Sequence, residues 1–269
     1  MRQAASASVP AIGPKRLRFK YIESRNTNLT QGTSSPYFLQ LVGTTHHAYQ
    51  SILKLNLMAT SPTYARLLLI CHKSLLSAAA LIAEAQPDDS VAITRRAIET
   101  ARTALAIKLN PENARRWLAY QERHERWLRR QEGEKRKHFA VQFLDVQSDA
   151  LVRTLDAMLG MLSDAYVHFT PEYYSSLDWE VRRVDEENGV ILLNYFHRDR
   201  REIERHFIIL AASQGKILEA FDRCFDGTFT NNKEAKQNIA AVWAVGRTLN
   251  EEFHRRYSEV SGIEDAGVL

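Results

Sequence analysis

From Pro36 to about Val260 the apolar residues of this chain return every three or four positions and almost nowhere every two. Only a helix carries side chains at that spacing on one face, so the pattern restricts the chain to packed amphipathic helices. The spacing predicts a first helix over about Pro36–Ala59 and a second from Pro62, after Ser61, to about Gln86, with Ala65, Leu68, Leu69, Leu75, Leu76, Ala79 and Ala83 inward. Pro87-Asp88-Asp89-Ser90 stops it and starts a third, about Asp89–Leu109, with Val91, Ile98, Leu105 and Leu109 inward. A long charged fourth helix follows Asn110-Pro111-Glu112 to about His138, and a fifth covers about Ser148–Phe169 before Pro171. The last two span about Asp199–Phe225 and Lys233–Val260.

One segment reads differently. Trp179–Glu187 and Val190–His197 flank Asn188-Gly189, a pair suited to the positive φ angles of a two-residue hairpin turn. The expected fold is therefore all-α: a bundle of about seven helices with a small β-hairpin inserted at about 179–197. Residues 1–36 read as a flexible basic arm and 37–269 as a single domain, since no repeat or composition break divides them.

The whole chain carries 36 Lys and Arg against 32 Asp and Glu, a net +4. Residues 1–36 hold six of those bases (Arg2, Lys15, Arg16, Arg18, Lys20, Arg25) and one acid (Glu23), a net +5, which leaves a net −1 elsewhere. A basic average thus belongs to the arm, and the folded body offers no global pull on a polyanion. Cys71 and Cys224 lie far apart in apolar helical patterns, as buried thiols in a reducing cytoplasm do. Leu67–Cys71 is the longest strongly apolar run, and His72 and Lys73 break it, so no membrane span is expected. The Ala/Ser-rich start lacks the apolar core of a secretory signal, and Pro10, Gly13 and Pro14 interrupt any amphipathic presequence helix.

A few polar residues fall where the pattern wants apolar ones. Arg95, Glu99 and Arg102 share an edge of the third helix, with Arg102 within about 40° of its inward face. A buried guanidinium needs a partner, and Glu99 is the nearest in sequence. The set reads either as a structural ion pair or as an anion site. His72 sits near the centre of the second helix's apolar face, as a satisfied core histidine or a site residue. Asp164 and His168, four apart, suit a carboxylate that orients an imidazole base, and His168 also suits a helix C-terminus. Together Arg95, Glu99, Arg102, His72, Asp164 and His168 form a candidate anion-binding set.

In the fourth helix Trp117, Tyr120, His124 and Trp127 line one face among many Arg and Lys, as a base-stacking surface or a core stripe. Five acids there dilute the positive field. No metal is expected: a dimetal bundle wants two Glu-x-x-His pairs, and only Glu251-x-x-His254 fits, while His46-His47 points two ways. No cofactor is expected either, since Walker, GxGxxG, GxSxG and HExxH motifs are absent.

Arg95-Arg96-Ala97-Ile98-Glu99-Thr100-Ala101 and Ser163-Asp164-Ala165-Tyr166-Val167-His168-Phe169 resemble the "Arg…Glu" and "Ser…His" helices of the HEPN superfamily and related bacterial helical proteins. The resemblance implies RNA binding, or metal-independent RNA cleavage by an Arg-x4–6-His motif, in a toxin or defence setting. Arg247…His254 is the best placed match, with Arg247 on phosphate and His254 as acid/base; Thr248 stands where the family often has Asn or Asp. Arg201…His206, Arg200…His206 and Arg66…His72 also fit. The alternatives are a non-catalytic, dimeric interaction module and a small-anion-binding bundle. Expected partners are RNA, a second copy, or an antitoxin or neighbouring-gene product.

Overall fold

The computed structural model describes residues 14–128, 149–163, 179–183, 189–193, 196 and 199–257. Ten α-helices are described: α1 (Pro14–Thr33), α2 (Gly43–Leu53), α3 (Leu57–Thr60), α4 (Pro62–Ala83), α5 (Pro87–Leu109), α6 (Pro111–Leu128), α7 (Ala150–Leu162), α8 (Arg200–Cys224), α9 (Thr228–Asn231) and α10 (Lys233–Tyr257). A π-helical turn, Phe38–Val42, precedes α2. The starts follow from local chemistry. Proline opens α4 and α5, where its missing N–H costs nothing. The Asp149 carboxylate accepts from the amides of Leu151 and Val152, and Asp199 from that of Arg201.

Helix α5 packs against α4, α8, α7 and α6, while α10 closes the far side of α8 together with α2. Leu68, Leu75 and Ile82 of α4, Ile98 and Leu105 of α5, and Phe207 and Phe221 of α8 are fully buried. Each such side chain contributes about 1.5–3 kcal/mol by leaving water. Ala97, Ala101 and Ala104 let α5 lie close to its neighbours.

All-α holds; the expected count of seven helices does not. The predicted helix over Pro36–Ala59 is cut by the π-helical turn and by Asn56, whose left-handed φ of 55° ends regular winding between α2 and α3. The stretch between the last two expected helices holds α9, capped by the Asp222 carboxylate through the amides of Phe229 and Thr230. The arm expected to be flexible over 1–36 contains α1, docked on the end of α4. The Arg25 guanidinium donates two bonds to the Glu84 carboxylate, at 2.7 and 2.8 Å. Asn28 Nδ2 donates to the Glu84 carbonyl, and Leu29 packs on the core. Gly32 lies so close to the backbone of Ala83 that a Cβ there would overlap its carbonyl.

The expectation that no helix spans a bilayer rested on unbroken run length; by length and average composition one described helix qualifies. Helix α4 is long and apolar enough, with a mean hydropathy of 1.6 over its best window, because His72 and Lys73 break a run without lowering the average much. It is a core element here, packed on α5, α8 and α1.

Two antiparallel strands, β1 (Trp179–Arg183) and β2 (Gly189–Leu193), pair with Arg183 opposite Gly189. Gly189 is therefore a paired residue, and Asn188-Gly189 is not the two-residue turn that the sequence suggested. The connecting residues 184–188 lie outside the described set.

Gly32→Ala is expected to cost about 1–3 kcal/mol by overpacking and to release α1. A thermal melt and limited proteolysis check this; an unchanged melt with α1 still protected contradicts the docking.

Candidate functional site

The polar residues of α5 meet α7. Arg102, 2% exposed, donates from Nε and Nη2 to the two oxygens of Asp156, at 2.9 and 3.2 Å. Its expected partner Glu99 is bound elsewhere: the Arg102 side chain projects to α7, and Glu99 pairs with Arg95 Nη2 at 3.3 Å. Arg95 Nε donates to Ser163 Oγ at 2.7 Å, and that hydroxyl donates to the Leu159 carbonyl. The two contacts lie seven residues apart on each helix, as antiparallel neighbours require. Arg102 is thus committed to the fold, whereas Arg95 and Glu99 remain about one third exposed. Asp164 and His168 lie outside the described residues.

His72 joins a different cluster. His46 Nδ1 lies 2.8 Å from His72 Nε2, and Gln50 Nε2 lies 2.8 Å from His46 Nε2. A neutral chain satisfies both contacts: Gln50 donates to His46, which donates from Nδ1 to His72. The Tyr49 ring stacks on His72 at 4.7 Å, and its hydroxyl donates to the buried Gln214 Oε1 at 2.8 Å. Burial, then the nearby His46, holds His72 below the ordinary histidine pKa. The partners of His72 are therefore on α2, and the structure does not join it to Arg95 or Glu99. Tyr49 is pushed well above its usual range by burial. The two free cysteines are buried; burial raises the Cys71 thiol and pushes that of Cys224 up to about 12, so neither is a nucleophile near neutrality.

Arg247 and His254 are both exposed on α10. Arg247 lines a groove of about 310 Å3 between α8 and α10, beside Trp243, Asn250 and Glu251. His254 does not line that groove; its ring meets Phe253 edge-on. The aromatic residues Tyr120, His124 and Trp127 of α6 are not among the described side chains, and Trp117 is half-buried.

Sequence reasoning missed Glu204. Although α8 is amphipathic, this carboxylate sits on its inner side, 2% exposed. Arg200 Nε donates to it at 2.7 Å, Arg256 Nη1 to both its oxygens at 2.7 and 2.8 Å, and the Tyr257 hydroxyl at 3.2 Å. The only local signal is the four-residue spacing of Arg200 and Glu204; Arg256 is far away in sequence. Among the described residues no three His, Cys, Asp or Glu side chains converge as metal ligands. Comparison with protein-family models, with characterised proteins and with solved structures finds no match.

Two outcomes are expected. Asp156→Ala leaves the buried Arg102 short of two charged bonds and lowers stability by about 2 kcal/mol in a denaturant titration; a change within error contradicts the assigned pair. Acidification destabilises the protein below the ordinary histidine pKa near 6.5, because the unfolded chain then takes up protons that folded His72 and His206, both held low by burial, do not. The loss grows down to the folded-state pKa values and then levels off. Melting temperatures at intervals from pH 7.5 to 5 check this, and His72→Gln should flatten the curve.

Proposed function

We propose that this chain is a HEPN-like RNA-binding domain whose phosphate contact is Arg95, with Glu99 and Ser163 as its holders. One observation carries the reading: Arg95 Nε bonds Ser163 Oγ at 2.7 Å, so the two stretches that resemble HEPN helices, 68 residues apart, meet at one point. Glu99 is a displaceable partner. A partly exposed pair four residues apart contributes about 0.3–0.5 kcal/mol, less than a charge-assisted bond from guanidinium to phosphate. Arg102, fixed by Asp156, supports α5 from behind. Asp164 and His168 follow Ser163 in sequence.

Metal-independent cleavage is the second reading, with Arg247 on phosphate and His254 as acid/base. Their exposure on α10, two turns apart, favours it. The strand pair is read as an insertion between α7 and α8, outside the bundle. A cytoplasmic bacterial defence or toxin role, as a homodimer or with an antitoxin encoded nearby, completes the proposal.

Fluorescence anisotropy with labelled single-stranded RNA, together with incubation of total RNA in EDTA, tests both readings. Arg95→Gln should weaken binding at least tenfold while Arg247→Gln does not. His254→Ala should abolish any cleavage. Binding indifferent to Arg95→Gln contradicts the first reading, and intact RNA or cleavage unchanged in His254→Ala contradicts the second.

A further inference from the structure

A cavity of about 720 Å3 opens between the second half of α1 and the start of α8, away from the α5–α7 cluster. Its volume is that of a drug-sized ligand site. One wall comes from α1 and the turn after it, with Ser24, Gln31 and Ser35; the other carries Ile203 and Phe207, with Arg200 and Glu204 at its charged edge.

The charged edge is asymmetric. Glu204 is buried and saturated: its oxygens accept from Arg200, from Arg256 and from Tyr257. Arg200 uses only Nε for that contact, its two Nη groups bond nothing described, and its side chain is 71% exposed. A buried carboxylate thus holds the guanidinium by one edge and leaves the terminal pair of donors for something else. Arg200 and Glu204 are the charged residues that line the cavity. An anion on Arg200 therefore also faces a carboxylate, which opposes a phosphate dianion more than a monoanion. A planar carboxylate also matches two parallel N–H donors. Ile203 and Phe207 offer an apolar floor. The Ser24 and Ser35 hydroxyls and the Gln31 amide bond no described group, so they can serve a polar tail.

We infer that this cavity binds a small organic monocarboxylate: its head on the Nη pair of Arg200, its apolar body on Ile203 and Phe207, and any hydroxyl or amide group toward α1. The site is separate from the RNA reading and stands or falls independently of it. It also gives a role to Arg200, which the sequence pairs with His206 in an Arg-x5-His match. The two do not act together, since His206 Nδ1 is bonded to the Glu202 carbonyl while Arg200 holds Glu204.

Saturation-transfer NMR and calorimetry on the full chain, with phenylacetate, phenylacetamide and inorganic phosphate as probes, test this. Phenylacetate should bind, with phenylacetamide and phosphate at least tenfold weaker. Arg200→Gln should weaken phenylacetate at least tenfold, and Glu204 keeps Arg256 and Tyr257, so the variant folds. Ser35→Trp, which fills the cavity from the opposite wall, should abolish binding with Arg200 intact. Absence of phenylacetate binding to the wild-type chain overturns the inference. So does affinity that survives Arg200→Gln or Ser35→Trp, or equal binding of inorganic phosphate.

Discussion

Helix α5 is enclosed by four other helices, and 13 of its 23 residues are buried. Water is excluded from most of its surface, so every polar group it carries inward must find a protein partner. Arg102 is the most demanding of these. An uncompensated guanidinium at that depth would oppose folding strongly, and Asp156 on α7 meets the demand. Because the Arg102 and Arg95 contacts share one antiparallel alignment, the neutralisation of α5 also places the Arg95–Ser163 contact. The candidate RNA site is in that sense a consequence of how α5 is buried.

The other polar groups follow the same logic by different chemistry. His46 and His72 meet in a chain with Gln50 that avoids burying charge, and His72 is the member that burial makes sensitive to acid. Glu204 is satisfied by three donors from two helices. Glu84 does the same at the end of α4 and so recruits α1. A few buried acids therefore determine where the peripheral helices sit, around an apolar centre built by α4, α5 and α8.

Much of that centre is legible in the sequence. The start of α4 matches the Ser61-Pro62 signal, the end of α5 falls at Leu109 as expected, α8 lies within one residue of its expected bounds, and α10 starts at Lys233 as expected. Proline, carboxylate caps and a strong apolar stripe all act within a turn or two, so local reading captures them. Helix α1 is invisible to that method, since its residues carry no apolar stripe and its anchor Glu84 is 59 residues away from Arg25. The partner of Arg102 is 54 residues distant, and a nearest-in-sequence rule selects Glu99 instead. An acid flanking the apolar stripe of α7, Asp156, was the available signal. His46 was legible only as half of an unpromising His-His pair, because its meeting with His72 depends on how α2 lies across α4.

Native-state hydrogen exchange tests the dependence on α5 most directly. Amides in the middle of α4, α5 and α8 should exchange only through global unfolding, with protection equal to the stability from denaturant titration. Amides of α1 and α6, each held on one side, should exchange sooner through local opening. Exchange in the middle of α5 as fast as in α6 would contradict the account.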